Sequence, residues 1–365
     1  MMLVYLTKIY GSLTAAERIF FAIFDFLKYR PQARVISVGN LSMGGTGKTP
    51  VLFELLDELK QHRCCVLSRG YRSPWERSFY HLQGRGPHPS ELTDEALLLN
   101  SRFPEVPIFL GKNRHHAAII AEKRFKPELM LLDDGFQYRR LDKDIDLVLF
   151  DAMADFSEAQ LIPAGRLREP AWRLRQAQAV LLTRCETAST EKQAEWLSWL
   201  KQQAPKVPVI RVQTLCDGLY DWCGNRIDAG KEERFLAFSA IGRPAGFYSQ
   251  LRSLGLNLVD NAEFRDHHRF TAAELQTLAA KAAQSNLRLV CTEKDFCKIS
   301  PEIAEQMRVL TLRIRTLPVS GQTFTSELAA HGIKLAEQKS AQSRFRFSDK
   351  LIPSDRQGQK SYKTL

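Results

Sequence analysis

Residues 34–50 read R-V-I-S-V-G-N-L-S-M-G-G-T-G-K-T-P, and this stretch decides the fold. Val35 to Val38 is a short apolar, β-branched run of the kind that forms a buried strand. A turn containing Gly44, Gly45, Thr46 and Gly47 follows, and Lys48-Thr49 leads into V-L-F-E-L-L-D-E-L-K. Leu52, Leu55, Leu56 and Leu59 fall on one face of that helix-like run. Strand, glycine-rich loop and helix in this order build the phosphate cradle of P-loop proteins. Glycines let backbone N–H groups converge on an anion, and the positive end of the helix dipole adds to the attraction. Lys48 then reaches the β- and γ-phosphates, and the Thr49 hydroxyl is placed to bind Mg²⁺. Ser42 stands where the strict motif has its first glycine, so the flanking strand and helix carry the assignment. A plain glycine turn before an ordinary helix is the bland alternative.

A second stretch answers the first. E-L-M-L-L-D-D-G-F-Q-Y-R-R-L, residues 128–141, is an apolar strand from Leu129 to Leu132 that ends in Asp133-Asp134-Gly135. A P-loop protein needs a carboxylate at such a strand end to complete the Mg²⁺ shell opposite the P-loop hydroxyl. A surface turn rich in Asp and Gly is the structural alternative.

Composition bounds the rest. At 365 residues the chain holds two domains and a substantial core; 44% hydrophobic and 25% charged residues are ordinary for a globular protein. The net charge of +11 points to a polyanionic partner or an anionic membrane surface. From His331 to Leu365 there are eight Lys/Arg and three Asp/Glu, so +5 of that +11 lies in the last 35 residues. Seven cysteines without a C-x-x-C pair or metal-ligand spacing read as reduced thiols of an intracellular protein.

The N-terminal stretch is the next informative one. Thr14-Ala-Ala-Glu17 has the form of a capping box opening R-I-F-F-A-I-F-D-F-L-K-Y. Only six residues, Ile19 to Phe24, pass without a charge, far short of the roughly 20 that span a bilayer. No small-residue cleavage site follows, which argues against a signal peptide. Phe20, Phe21, Phe24, Phe26 and Tyr29, flanked by Arg18, Lys28 and Arg30, suit a helix lying in a membrane interface. A helix packed on the core is the alternative.

Further strands are expected at 64–68, 106–110, 145–150 and 179–183, the backbone of an α/β parallel sheet. Residues 73–90, rich in Pro, Gly and Arg, read as a surface loop, and Thr93 starts a helix to about Phe103. Acidic residues in a first helical turn usually serve the dipole, the default for Asp94. Lys112 and Arg114 follow a strand, where α/β sheets place ligands, whereas adjacent His115 and His116 read as helix residues. L-I-P-A-G-R-L-R-E-P-A-W-R-L-R, residues 161–175, offers Arg166 and Arg168 for phosphate contact or forms a solvated basic loop. Residues 209–215 and 218–225 read as two strands, a hairpin linking domains. A second α/β unit follows over about 231–333, with a capping box at Thr271-Ala-Ala-Glu274 and a basic tail from 334 that is expected to be partly disordered.

Together these motifs resemble the tetraacyldisaccharide 4'-kinase family of lipid A biosynthesis. The resemblance is carried by G-N-L-S-M-G-G-T-G-K-T-P at Gly39–Pro50, L-S-R-G-Y at Leu67–Tyr71, T-D-E at Thr93–Glu95 and D-D-G-F-Q-Y-R-R-L at Asp133–Leu141. P-A-G-R-L-R-E at Pro163–Glu169, D-H-H at Asp266–His268 and T-E-K-D at Thr292–Asp295 complete it, in family order to about residue 330. Ser42 in place of the first glycine is itself a family trait.

The resemblance implies a P-loop nucleoside triphosphate hydrolase-like parallel-sheet domain (34–208), a two-stranded linker (209–230) and a smaller α/β domain (231–333). An N-terminal interfacial helix (1–33) would precede them. It further implies ATP- and Mg²⁺-dependent phosphorylation of the 4'-hydroxyl of an acylated glucosamine disaccharide 1-phosphate. The setting would be the cytoplasmic face of a bacterial inner membrane, with no nucleic acid and no obligate protein partner. In that scheme Lys48 and Thr49 hold phosphates and Mg²⁺, and Asp133 or Asp134 completes the metal shell. Arg114 and Arg168 stabilise the transferring phosphoryl, and Glu169 orients Arg168 or the substrate. Asp94 is the base, paired with His267 rather than His268, the two meeting across a cleft when the domains close. Two rivals stand beside this reading, a GTPase or metallochaperone and a noncatalytic membrane-bound ATP-binding regulator. The first needs an N-K-x-D-like loop, of which T-E-K-D has a passing likeness.

Overall fold

The apolar runs of the sequence form the strands of a computed structural model that describes residues 2–71, 73–84, 92–230, 232–242 and 244–336. The tail beyond 336 and the part of the surface loop from 85 to 91 lie outside the described residues. In chain order the elements are α1 (Met2–Ile23), β1 (Arg34–Asn40), α2 (Lys48–Glu58), β2 (Cys64–Ser68), β3 (Tyr80–Leu82), α3 (Asp94–Arg102), β4 (Ile108–Leu110), α4 (Arg114–Phe125), β5 (Leu129–Asp133) and β6 (Ile145–Asp151). They continue as β7 (Ala179–Thr183), α5 (Thr190–Gln203), β8 (Val209–Tyr220), β9 (Arg226–Ile227), β10 (Arg234–Ser239), α6 (Pro244–Ser253), β11 (Asn257–Glu263) and α7 (Ala272–Gln284). The last are β12 (Arg288–Thr292), α8 (Glu293–Phe296), α9 (Pro301–Gln306), β13 (Leu310–Pro318) and α10 (Phe324–Ala330).

Two compact units share this chain. The first holds Met1–Glu91, Pro104–Gln213 and the chain from Leu317 on; the second holds Leu92–Phe103 and Thr214–Thr316. The chain passes between them within β8 and β13.

In the first unit the strand order is β7-β6-β1-β5-β2-β4-β3, parallel except for β3, with the start of β8 beside β7. A parallel sheet covered by helices on both faces explains why its strands read as continuous apolar runs. Val35, Ile36, Val38 and Leu131 are wholly buried, and each such side chain contributes roughly 1.5–3 kcal/mol. The small residues Ala117, Ala118 and Ala121 of α4 pack against Leu67, Phe109, Met130 and Leu132. Trp196 and Leu200 of α5 pack against Phe150 and Leu182. Glu58 of α2 accepts from the Phe324 and Thr325 N–H groups, both at 2.7 Å, which caps α10 and fastens residues 317–336 to this unit.

The second unit has the parallel order β11-β10-β12-β13, with β9 antiparallel to β8. α7 covers Leu236, Phe238, Leu289 and Cys291 through Leu275, Leu278 and Ala282. Thr271 and Glu274 make both bonds of the capping box expected there. The segment 92–103, remote in sequence, brings α3 into this unit and against α8.

Several elements depart from their sequence reading. The box at Thr14 does not start a helix: α1 runs from Met2 through it, and Thr14 Oγ1 donates back to the Gly11 carbonyl at 3.0 Å. The apolar positions from Met2 to Leu13 already carry the helical period, so an internal Thr is no boundary. The side chains of Glu17 and Arg18 lie outside the described residues. The expected hairpin at 209–225 is one long strand, β8, and only Arg226–Ile227 turns back on it, because Asp221 closes a turn onto the Cys223 and Asn225 N–H groups at 2.9 and 2.8 Å. β3 forms inside the expected surface loop, and α5, α9, β13 and α10 are further elements beyond those expected from the sequence.

Candidate active site

The P-loop leaves the carboxyl end of β1, where Gly47 takes the left-handed conformation (φ 83°) as the residue before α2. Its carbonyls are held from outside. Asn40 Nδ2 donates to Gly44 O at 3.3 Å, Thr183 Oγ1 to Thr46 O at 2.9 Å and an Arg184 NH2 to Gly45 O at 2.6 Å. Arg184 in turn pairs with Asp151 at 2.7 Å. In a trans peptide the N–H points away from the C=O, so anchoring these carbonyls turns the loop's donors the other way, toward an anion. Thr46 Oγ1 is buried without a hydrogen-bond partner among the described residues.

The basic stretch at 161–175 joins this loop by backbone pairing. Met43 N–H donates to Arg166 O at 2.7 Å and Arg168 N–H to Leu41 O at 2.8 Å. Arg168 therefore stands beside the P-loop, and its guanidinium donates to both Asp134 oxygens at 3.0 and 3.2 Å. Lys48 Nζ lies 3.4 Å from Asp134 Oδ1. Burial disfavours ionisation of Asp134, but Lys48 and Arg168 outweigh it and hold the carboxyl below the usual range. Asp134 adopts φ 49°, and Gly135 follows because a Cβ there would lie 2.5 Å from Leu132 and 2.7 Å from Ser37. Asp133 accepts from Ser68 Oγ of the L-S-R-G-Y segment at 2.9 Å. Lys143 Nζ donates to the Gly135 and Phe136 carbonyls at 3.0 and 3.1 Å, locking the D-D-G-F turn.

Arg114, first residue of α4, is buried with its guanidinium 4.3 Å above the Tyr138 ring. Burial pulls its pKa down, while Tyr138, Asp134 and Asp133 oppose that. His115 and His116 are helix residues, and His115 N–H donates to the Tyr138 hydroxyl at 3.0 Å. Glu169 corrects one expectation. It is buried, and Arg139 and Arg173 bind its two carboxylate oxygens; of the two expected roles, orienting Arg168 or the substrate, the first finds no bond to Arg168 among the described residues. Such a buried charge cluster sets geometry more than it adds stability.

Asp94 and His267 meet within the second unit. Thr93 caps α3 with Ala96 N–H on its Oγ1 at 3.2 Å, which places Asp94 as the first helical residue and 4% exposed. His267 Nδ1 lies 2.9 Å from Asp94 Oδ2. His268 instead turns its Nε2 to both Glu274 oxygens at 3.0 Å and stacks on Phe264. Asp94 was expected in the P-loop domain and its pairing across a cleft; segment 92–103 belongs to the same compact unit as His267, so the pair needs no domain closure.

Thr183, Arg184 and Lys143 were not singled out from the sequence. Their signal was slight: a Thr-Arg pair closing a buried strand, and a lysine before a strand. Among the described residues no group of three or more His, Cys, Asp or Glu could hold a metal ion. Mg²⁺ at nucleotide sites takes one or two carboxylates together with substrate phosphates, and Thr49, Asp133 and Asp134 are a donor set of that kind.

Strand–loop–helix, a lysine opening the helix and a carboxylate at the end of the adjacent parallel strand define a P-loop nucleotide-binding protein. The model of the family "Tetraacyldisaccharide-1-P 4'-kinase" matches residues 1–334, and the chain belongs to that family. It is 34% identical over 319 residues to the tetraacyldisaccharide 4'-kinase of Koribacter versatilis, covering 85% of this chain and 92% of that one. With the kinase of the same name from Halothermothrix orenii the identity is 32% over 313 residues, 81% and 82% of the two chains. The crystal structure of the "apo" form LpxK from Aquifex aeolicus in complex with ATP superposes with a TM-score of 0.70 at 26% identity, covering 90% of this chain and 97% of that one.

Proposed function

We propose that this chain transfers the γ-phosphoryl group of ATP to the 4'-hydroxyl of a tetraacylated glucosamine disaccharide 1-phosphate. The observation that carries it is the convergence of Lys48 and Arg168 on Asp134 beside a backbone cradle, within a chain of this kinase family. Positioning and charge neutralisation supply most of the catalysis in phosphoryl transfer. Lys48 and the P-loop amides bind the β- and γ-phosphates, and Arg168 and Arg114 neutralise charge on the transferring group. Thr49 with Asp133 or Asp134 would hold Mg²⁺, which supplies further neutralisation of the phosphates when bound. The acceptor oxygen bonds to the γ-phosphorus as the bond to the bridging oxygen of ADP breaks, and Asp94 takes the hydroxyl proton. T-E-K-D does not read a nucleobase: Asp295 is wholly buried and bonded to Thr292, Ala240 and Lys298, which weighs against the GTPase alternative. The test is transfer of labelled γ-phosphate to the lipid disaccharide, with ATP expected to serve and GTP to serve poorly. No lipid product from a folded chain with ATP and Mg²⁺ sinks the reading.

No helix among the described residues is long and apolar enough to cross a membrane. We propose that α1 lies in the membrane interface. One side of it docks, with Tyr10 Oη donating to Arg168 O at 2.8 Å and Gly11 against Leu161. Leu6, Ile9, Leu13 and Phe20 stand exposed at helical spacing, and the exposed Phe24 and Phe26 follow. Burying these side chains in lipid, with the chain's net positive charge near anionic headgroups, favours attachment at the inner membrane's cytoplasmic face. Ile9→Asp with Phe20→Asp is expected to shift the protein from anionic vesicles to the supernatant while ATP binding persists. Unchanged co-sedimentation counts against the interfacial helix.

A further inference from the structure

The T-E-K-D-F-C-K stretch, residues 292–298, lies in the second unit and holds two charged side chains that are fully buried, Asp295 and Lys298. Thr292 caps the short helix α8, accepting from Asp295 N–H at 3.1 Å, and its hydroxyl donates to Asp295 Oδ2 at 2.7 Å. The side chains of Asp295 and Lys298 are both fully buried, and Lys298 Nζ donates to Asp295 Oδ1 at 3.0 Å. The same ammonium lies 3.2 Å from Asp94 Oδ2, the oxygen on which His267 Nδ1 sits. From Asp295 a second path leads to His267. Ala240 N–H donates to Asp295 Oδ2 at 3.1 Å, and Ala240 O accepts from His267 N–H at 3.2 Å.

These contacts close a ring: Asp295, Lys298, Asp94, the imidazole and then the backbone of His267, Ala240, and Asp295 again. A free hinge would not need it. His267 has a left-handed backbone (φ 63°), which a non-glycine residue keeps only where its surroundings enforce it. A lysine side chain taken wholly out of water is tolerated only with its charge compensated, and two carboxylates do so here.

We propose that Asp295 and Lys298 are positioning residues for phosphoryl transfer: they fix the rotamer of Asp94, supply the cation beside it, and hold the His267 backbone that aims the imidazole. The inference rests on the reading of Asp94 as the base that accepts the acceptor proton. Burial alone would discharge the Lys298 ammonium, but Asp295 and Asp94 outweigh it and keep it charged. Other charged or titratable groups face Asp94 as well. Lys294 is 3.7 Å from Asp94 Oδ2, the Cys297 thiol lies 3.9 Å from the Asp94 carbonyl, and Asp266 is 3.8 Å from His267 Nε2. Glu95, beside Asp94 in the chain, pairs with Lys294 at 3.9 Å. Lys298 alone among these cations is wholly buried and joined to both carboxylates.

The test compares the full chain with Lys298→Met and Asp295→Asn, following lipid product from ATP and Mg²⁺ across pH. A cation favours the charged form of a neighbouring carboxylate, so its removal favours the protonated form. For Lys298→Met the expected result is a loss in kcat of about 10- to 100-fold, a KM for ATP within twofold, and an acid limb of the kcat–pH profile moved to higher pH. Asp295→Asn keeps the shape and weakens the hold on Lys298, and it is expected to move kcat and the acid limb in the same direction by less. If Lys298→Met fails to fold, Asp295→Asn decides. Folded variants with unaltered kcat and unaltered acid limb overturn the inference, as does a loss confined to KM for ATP. Absence of transfer by the unaltered chain overturns the kinase reading and the inference with it; transfer by that chain with unchanged variants overturns the inference alone.

Discussion

Lys48→Ala is expected to lower γ-phosphoryl transfer by at least about 10²–10³-fold in kcat, with the fold intact. Lys48 is the first residue of α2, and Gly47 turns the chain so that its ammonium reaches Asp134 at 3.4 Å, near the loop amides. A phosphate bound on those amides would carry its charge toward this ammonium, and the need for it grows as charge shifts to the leaving oxygen. That is stabilisation realised more in the transition state than in the ground state, so kcat falls further than KM rises. The fold survives because Asp134 retains Arg168 at 3.0 Å, and Lys48 itself is partly exposed, so no buried charge is stranded. Circular dichroism and thermal melting check the fold, and single-turnover transfer checks the chemistry. A folded variant that turns over within tenfold of the parent removes the P-loop assignment.

How much of this site was legible in the sequence follows from the range of the interactions. The cradle was, because a P-loop is local: strand, turn and helix are consecutive, and Gly47 at φ 83° is required by the turn alone. So was the position of Asp133 and Asp134, since four apolar residues ahead of them fix the strand end. What holds the cradle was not. Arg184 binds Gly45 O across 139 positions of sequence and Thr183 binds Thr46 O across 137, and no pattern of residue types encodes such pairings. Glu169 shows the same limit: the resemblance gave it Arg168 or the substrate to orient, and no local pattern of residue types names the partners it has. Glu169 goes inward to Arg139 and Arg173, the first of them 30 positions away in the chain. The second unit's boundary was misplaced for a similar reason: α3 joins it from residue 94 and α10 leaves it for α2, both through contacts remote in the chain.

Asp94 and His267 are expected to act as a unit, each substitution to Ala lowering kcat by about 10²–10⁴-fold and the double variant losing little more than either single one. A sugar hydroxyl is a poor nucleophile, and a carboxylate in reach takes its proton as the phosphoryl moves. One oxygen of Asp94 is taken by His267 Nδ1 and Lys298, at 2.9 and 3.2 Å, which fixes the direction of the other. Removing His267 therefore costs what Asp94 can deliver, and once Asp94 is gone the imidazole has nothing left to orient. Both residues lie in one compact unit, so the pairing is expected with or without nucleotide. Lys298 keeps Asp295 as a counter-charge when Asp94 is replaced, which protects the fold. His268→Ala is the control. That imidazole serves Glu274, whose carboxyl the Thr271 N–H, His268 and the Thr271 hydroxyl hold down at about 2, so its loss should weaken the start of α7 and leave kcat within about threefold. Stability present above the ordinary glutamate pKa, and lost as pH falls toward 2, is the sign expected for that depressed carboxyl. A double-mutant cycle on kcat separates the two histidines. Additive losses for Asp94 and His267, or a larger kcat loss at His268, would show that proton removal is organised by other residues.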